Sequence, residues 1–230
     1  MARKRPRGLF VTGTDTGVGK TYVAAMVARA LVDAGHRVGV YKPAASGCST
    51  SGRTLVSADA EALWRAAGSP GTLAEVCPQV FAAPLAPHLA AAAEGKRLDA
   101  ALLRRGLDVW LDRSDIVVVE GAGGLMSPLG DDEYVADLAY EFGFPLLVVA
   151  RNSLGVINHV LQTLVTAATF RDGLDVAGVV LNRPSVASDD LSIELNAGEI
   201  RRRAVQPLLA EVDYGAERFE PFVDWYALAA

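Results

Sequence analysis

"GLFVTGTDTGVGKTYVAAMV" (residues 8–27) holds three kinds of chain in succession. A continuous apolar run from Gly8 to Gly13 suits a strand buried on both faces. A glycine-rich turn follows and ends in Gly19-Lys20-Thr21. A helical pattern then runs from Thr21 to Gly35, where glycine closes it in the usual way. Strand, glycine-rich turn and helix in that order are the setting of a phosphate-binding loop. The spacing departs by one residue from G-x-x-x-x-G-K-[ST]: Thr14 stands where the first glycine belongs, and Gly13 comes one place early.

Position dictates the chemistry expected of this stretch. Backbone N–H groups of the turn and of the helix start converge on an anion. Lys20 reaches toward β- and γ-phosphates, and the Thr21 hydroxyl suits a magnesium ion. Downstream, short apolar runs keep alternating with longer helical patterns. Strands are expected at 36–43, 115–121, 145–151, 175–182 and 207–212. Helices are expected at 57–68 (Ser57 as N-cap), 86–95, 98–113, 135–143, 155–173, 191–204 and 222–230. Residues 44–98, rich in Ala, Gly, Pro and Ser, read as an elaborated crossover. The strands are continuous rather than alternating, which belongs to a parallel sheet covered on both faces. The expected fold is therefore α/β, a single-domain P-loop NTPase-like fold spanning residues 1–230, with a flexible basic tail at 1–7.

Composition sets the outer limits. The 230 residues are 51% hydrophobic and 21% charged, enough to bury a core without staples. A net charge of −5 leaves no basic face for nucleic acid. Cys48 and Cys77 are far apart and outside any paired motif, which argues against a disulfide framework or a zinc site. Without an apolar run of membrane-spanning length or a leader pattern, the expected location is the cytoplasm and no membrane partner is expected.

Other stretches fall on the strand ends where α/β folds bind ligands. Glu120 ends "VVVEG", followed by Gly121, Ala122, Gly123 and Gly124, which let backbone approach a ligand. Lys42 ends the second strand and precedes "PAASG" with Ser46. Two lysines near one phosphate suit the charge that develops in phosphoryl transfer. Spacing alone leaves Asp59, Asp131 and Asp132 as equal choices for a second metal-holding acid. "NSLGVINH" (152–159) opens a long helix, whose plain reading is an N-cap. His88 and His159 lack metal-ligand spacing and default to structural roles.

Taken together, "GTDTGVGKT", "YKPAASG", "APHLAA", "VVVEGAGGL" and "LGVINH" resemble the dethiobiotin synthetase family, from about residue 8 to about residue 215. The early glycine is a feature of that family and of its amidoligase relatives. The resemblance implies an ATP-dependent ligase that closes the ureido ring of dethiobiotin from 7,8-diaminopelargonate and CO2. A carbamate and a carbamic–phosphoric anhydride would be the intermediates. It implies that Thr16, Gly17, Val18, Gly19, Lys20, Thr21 and Tyr22 hold the triphosphate, with Gly121, Ala122 and Gly123 beside it. Thr21, Asp59 and Glu120 would hold Mg2+, Lys42 and Lys20 would bridge carbamate and γ-phosphate, and Asn182 would read the base. Ser46 would contact the substrate. Gly155, Val156, Ile157 and Asn158 would receive the carboxylate of substrate bound to the partner subunit of a homodimer.

This chain departs from the family pattern at three points. Gly17 replaces an acidic residue, Asp213 and Tyr214 replace a Pro–aromatic pair in the base-contacting segment, and Glu194 falls near a tyrosine that reaches the partner's substrate. Two alternatives fit less well. A glutamine-fed amidoligase needs a nucleophilic cysteine in a glycine-flanked turn. A partitioning-type switch ATPase favours a second lysine where Thr14 and Asp15 stand.

Overall fold

The computed structural model describes residues 7–52, 54–185 and 189–229. Strands are β1 (Arg7–Gly13), β2 (Val38–Tyr41), β3 (Ser49–Ser51), β4 (Thr54–Val56), β5 (Ile116–Gly124), β6 (Leu146–Arg151), β7 (Val176–Asn182) and β8 (Leu208–Val212). Helices are α1 (Lys20–Asp33), α2 (Ala58–Ala66), α3 (Leu73–Val76), α4 (Pro87–Ala93), α5 (Ala100–Arg105), α6 (Asp108–Arg113), α7 (Val135–Phe142), α8 (Val156–Thr169), α9 (Ile193–Arg203) and α10 (Trp225–Leu228).

Six strands form one parallel sheet in the order β2-β5-β1-β6-β7-β8. Its middle consists of the expected apolar runs. Leu9, Phe10 and Val11, Val117 to Val119 and Leu146 to Ala150 are without solvent exposure. Each buried valine, leucine or phenylalanine among them contributes about 1.5–3 kcal/mol of transfer free energy. Parallel strands end their C-termini on one edge, so β1, β2, β5 and β7 deliver their last residues to a common rim.

Differences from the sequence reading have local causes. Arg7 lies in β1 rather than in a tail; its guanidinium donates to the Tyr226 and Ala229 carbonyls at 3.1 and 2.8 Å. The rest of the expected basic tail, residues 1–6, lies outside the described residues. The single helix expected at 98–113 is two helices. Tyr41 Oη donates to the carbonyls of Leu102 and Leu103 at 3.1 and 2.9 Å, and its oxygen sits 2.3 Å from where a Cβ on Gly106 would be. The Leu102 carbonyl still accepts from the Gly106 N–H, but the Leu107 N–H turns to the Arg104 carbonyl, so the tyrosine takes the Leu103 carbonyl that a continuing helix would have used. β5 runs on through its glycines to pair Gly124 with Gly13. Within 44–98 the sequence reading missed the exposed hairpin β3–β4 and the short helix α3, which Thr72 and Glu75 close as a capping box.

Candidate active site

The turn after β1 is shaped by its own atoms. A Cβ on Gly13 would stand 2.7 Å from the Asp15 carbonyl and 3.1 Å from the Lys20 stem, so the early glycine is needed where it is. The Thr14 N–H donates to Val149 of β6 at 2.9 Å, which roots the turn in the sheet. Gly17 has φ 73° and open space around it, so its conformation, not crowding, selects glycine. Gly19, at φ 92°, caps α1. Lys20 folds back and donates to the Asp15 carbonyl at 3.0 Å. Burial is the largest influence on Lys20 and lowers its pKa, with the Lys42 charge adding to it and Glu120 opposing it.

Beside the turn lies a compact charge cluster. Lys42 Nζ donates to Glu120 Oε1 at 2.6 Å and meets Asp59 Oδ2 at 3.2 Å. Lys42 is 5% exposed and Glu120 1%, whereas the Asp59 side chain is half open to solvent. Burial alone would lower the Lys42 pKa, but the charges of Glu120 and Asp59 and the hydrogen bond to Glu120 outweigh it, and the pKa is raised. Lys42 is therefore a fixed cation. The Thr21 hydroxyl donates to the same Glu120 oxygen at 2.8 Å. Asp59 arrives through α2, whose N-cap Ser57 accepts from the Ala60 N–H at 3.2 Å. Of the three acids that spacing left open, Asp59 joins the cluster, while Asp131 and Asp132 are exposed and do not line the cleft.

The cluster forms the floor of a cleft of about 710 Å3. Thr16, Gly17, Gly19, Lys20, Thr21 and Tyr22 line one side, and Lys42, Ser46, Asp59 and Gly121 to Gly123 line another. The third wall was not foreseen. It consists of Pro84 to Pro87 at the start of α4, with Ser127 and Pro128. His88 joins its two parts, with Nδ1 3.1 Å from the Pro128 carbonyl. Ser127 Oγ accepts from the Gly124 N–H at 2.9 Å and would lie 2.2 Å from a Cβ on Gly123, itself at φ 69°. Gly123 is thus fixed by both conformation and space.

A divalent cation suits this donor set. Glu120 Oε2 is buried without a partner, as are Thr12 Oγ1 and Arg183 Nε among the described residues, and of the three only Glu120 lines the cleft. No group of three or more His, Cys, Asp or Glu side chains capable of holding a metal occurs among the described residues. Two carboxylates and a hydroxyl, completed by phosphate oxygens and water, are what magnesium takes, since it is seldom caged by protein alone. Cys48 and Cys77 are buried free thiols, and burial pushes Cys77 up to about 12, so it is held as an inert thiol.

Residues 7–218 match a family model described as an AAA domain. A relative from Rhodopirellula baltica, the ATP-dependent dethiobiotin synthetase BioD, is 45% identical over 214 residues, covering 88% of this chain and 82% of its own. A protein of the same name from Anaeromyxobacter dehalogenans is 50% identical over 196 residues, covering 85% of each chain. The chain belongs to the dethiobiotin synthetase family. More distant solved structures share only the fold. The ParA family ATPase of Chlorobium tepidum is 16% identical with a TM-score of 0.54, covering 94% of this chain and 86% of its own. The septum site-determining protein MinD of Pyrococcus horikoshii, solved with Mg-ADP, is 16% identical with a TM-score of 0.52, covering 90% and 81%.

The remaining family positions lie away from the cleft lining. Val18 is buried behind the turn, and Asn182 at the end of β7 is 2% exposed. The Asn182 amide donates to the Val18 carbonyl at 2.9 Å, and its nitrogen lies 2.0 Å from where a Cβ on Gly19 would be. It therefore braces the phosphate loop from below. Gly155 and Asn158 are exposed at the start of α8, Ile157 is half-buried, and Val156 is packed inward. In the single chain this helix start is not part of the cleft wall.

Proposed function

We propose that this protein is an ATP-dependent dethiobiotin synthase that closes the ureido ring of dethiobiotin from 7,8-diaminopelargonate and CO2, releasing ADP and phosphate. One observation carries the reading beyond family membership: a buried lysine held by two carboxylates beside a phosphate loop. One amine of the substrate captures CO2 as a carbamate and releases a proton. A carbamate oxygen attacks the γ-phosphorus and ADP leaves. The second amine then attacks the carbamate carbon, and the ring closes as phosphate departs. Negative charge gathers on the transferring phosphoryl oxygens, where Lys42 would offer a cation held in place by Glu120 and Asp59, and Lys20 would turn from the Asp15 carbonyl to meet it. Thr21, Asp59 and Glu120 are the residues that would hold Mg2+, which neutralises β- and γ-phosphate oxygens when bound. Ser46, which lines the same wall, would orient the diamine.

In this reading the protein acts as a homodimer in the cytoplasm. Support for the dimer comes from Leu154 and Leu191, 81% and 87% exposed, which leave an apolar surface around the α8 start. Residues 155–158 would then take the carboxylate of substrate in the partner's cleft. Among the described residues no helix is long and apolar enough to cross a membrane.

Phosphate release from ATP is the test. It should require both diaminopelargonate and bicarbonate, with dethiobiotin formed in equal amount. ATP hydrolysis at the same rate without them would sink the assignment.

A further inference from the structure

The C-terminal part of the chain runs along α1 and meets Tyr22, a residue of the cleft lining. β8 ends at Val212, paired with Asn182, so residue 213 emerges beside the brace under the phosphate loop. At Ala216 the segment meets Tyr22, whose hydroxyl donates to the Ala216 carbonyl across 194 positions of sequence. Burial foremost, then the nearby Glu217 and Tyr214, raise the Tyr22 pKa, so the phenol keeps the proton it donates. Beyond this point Phe219 packs on Trp225 with ring centres 4.6 Å apart, and Trp225 is 3% exposed. Tyr226 stacks on His36 at 4.1 Å, just past the end of α1, and Arg7 holds the Tyr226 and Ala229 carbonyls. The segment is therefore fastened at both ends of a helix roughly 20 Å long.

Sheet order says what this strap faces. Lys42 directly follows β2 and Glu120 lies within β5, on one side of the phosphate loop carried by β1. Asn182 and residues 213–217 follow β7 and β8, on the other side. With the γ-phosphate end of a nucleotide against Lys42, its nucleoside end lies toward β7 and β8. Tyr22 lines the cleft at the junction of the two.

We propose that Tyr22 is a positioning residue for nucleoside recognition: its hydroxyl pins residues 213–217 over the nucleoside end of the cleft, and the strap back to Arg7 keeps them there. This rests on the nucleotide-binding reading above. It predicts that losing the pin weakens contacts to the nucleoside and spares those to the phosphates.

Tyr22→Phe removes only the hydroxyl. Affinities of the full-length variant for ADP and for inorganic tripolyphosphate, which has no nucleoside, are measured by calorimetry with magnesium. A neutral hydrogen bond is worth about 0.5–1.5 kcal/mol, so ADP should weaken about 3- to 10-fold. Tripolyphosphate should change less than about 2-fold, and the rise in KM for ATP should exceed any fall in kcat. Unchanged ADP affinity overturns the proposal. Equal losses for ADP and tripolyphosphate also overturn it, because Tyr22 would then be acting through the phosphate loop. Failure of the unaltered protein to bind either compound would instead refute the nucleotide-binding reading itself.

Discussion

The two flanks of the phosphate loop are built differently. On the β2/β5 flank, Lys42, Glu120 and Thr21 are linked at 2.6 and 2.8 Å, and two of the three are buried. On the β7/β8 flank, one amide braces the loop, and an exposed segment is held by a tyrosine and a strap from the far end of the chain. Buried charge fixes the first flank, since breaking a buried pair leaves an ion without water or partner. Neutral hydrogen bonds and aromatic contacts fix the second, and each is worth far less. On the proposed reading, chemistry that must find its groups in place would sit on the stiff flank, and the nucleoside, whose choice tolerates adjustment, would lie on the soft one.

The sharpest way to break this contrast is Lys42→Ala. Turnover with diaminopelargonate and bicarbonate should fall about 1,000-fold, the scale on which removal of a fixed charge-stabilising group acts. Circular dichroism should show the fold retained. Residual activity near the original level would reduce Lys42 to a structural cation. Next comes Glu120→Gln, which strands Lys42 as a buried charge with only the half-exposed Asp59 beside it. A cost of about 3–5 kcal/mol is expected, lowering the thermal midpoint by roughly 10 °C in calorimetry. A midpoint within about 2 °C of the original would show that water or Asp59 replaces the lost partner.

The soft flank should respond less. Asn182→Ala removes the amide from the Val18 carbonyl and should cost about 1–2 kcal/mol of stability and about 10-fold in ADP affinity. Stability as low as that of Glu120→Gln would erase the difference between the flanks.

The smallest effect belongs to the other end of β2 and β5. There Arg37 and Asp115 form an ion pair exposed to solvent, with Nη2 to Oδ1 at 2.5 Å. The hydrogen bond from the Arg37 side chain, then that from its backbone, lowers the Asp115 pKa to about 2. A carboxylate depressed in the folded state stabilises above its unfolded pKa, near 4, and loses that contribution as pH falls through the folded value. Asp115→Asn should therefore lower the midpoint slightly at pH 7 and match the unaltered protein near pH 2. A loss as large as that of Glu120→Gln would mean that burial is not what separates strong pairs from weak ones here.

Legibility in the sequence follows the same division. The strand runs, the phosphate loop and the groups at the ends of β2 and β5 are short, contiguous signals, and the sheet brings them together without distant help. Asp59 was readable only as one of three acids, because its selection depends on where α2 docks. The break at Gly106 comes from Tyr41, a contact across the fold that no local pattern records. Thr72-Leu-Ala-Glu75 did carry a signal, a capping box spacing that could have located α3. "APHLAA" and Tyr22 entered through the resemblance, but nothing local in them shows that Pro84–Pro87 forms a wall of the cleft or that Tyr22 meets Ala216, since each contact joins segments distant in sequence. Asn182 was assigned to the base by resemblance, and its bond to Val18 adds a mechanical task that the sequence does not display.

One consequence concerns how a polyanion first arrives. Among the described residues, the charged side chains lining the cleft are two lysines and two carboxylates, so they cancel. Such a site generates little far-reaching field, and it does not draw phosphate compounds through solution as a strongly basic cleft would. Capture then depends on directed N–H groups that act only at contact, and on whatever countercharge the incoming molecule carries with it. Encounter rates at such a cleft should vary little with ionic strength, and selectivity among anions is decided after arrival rather than before it.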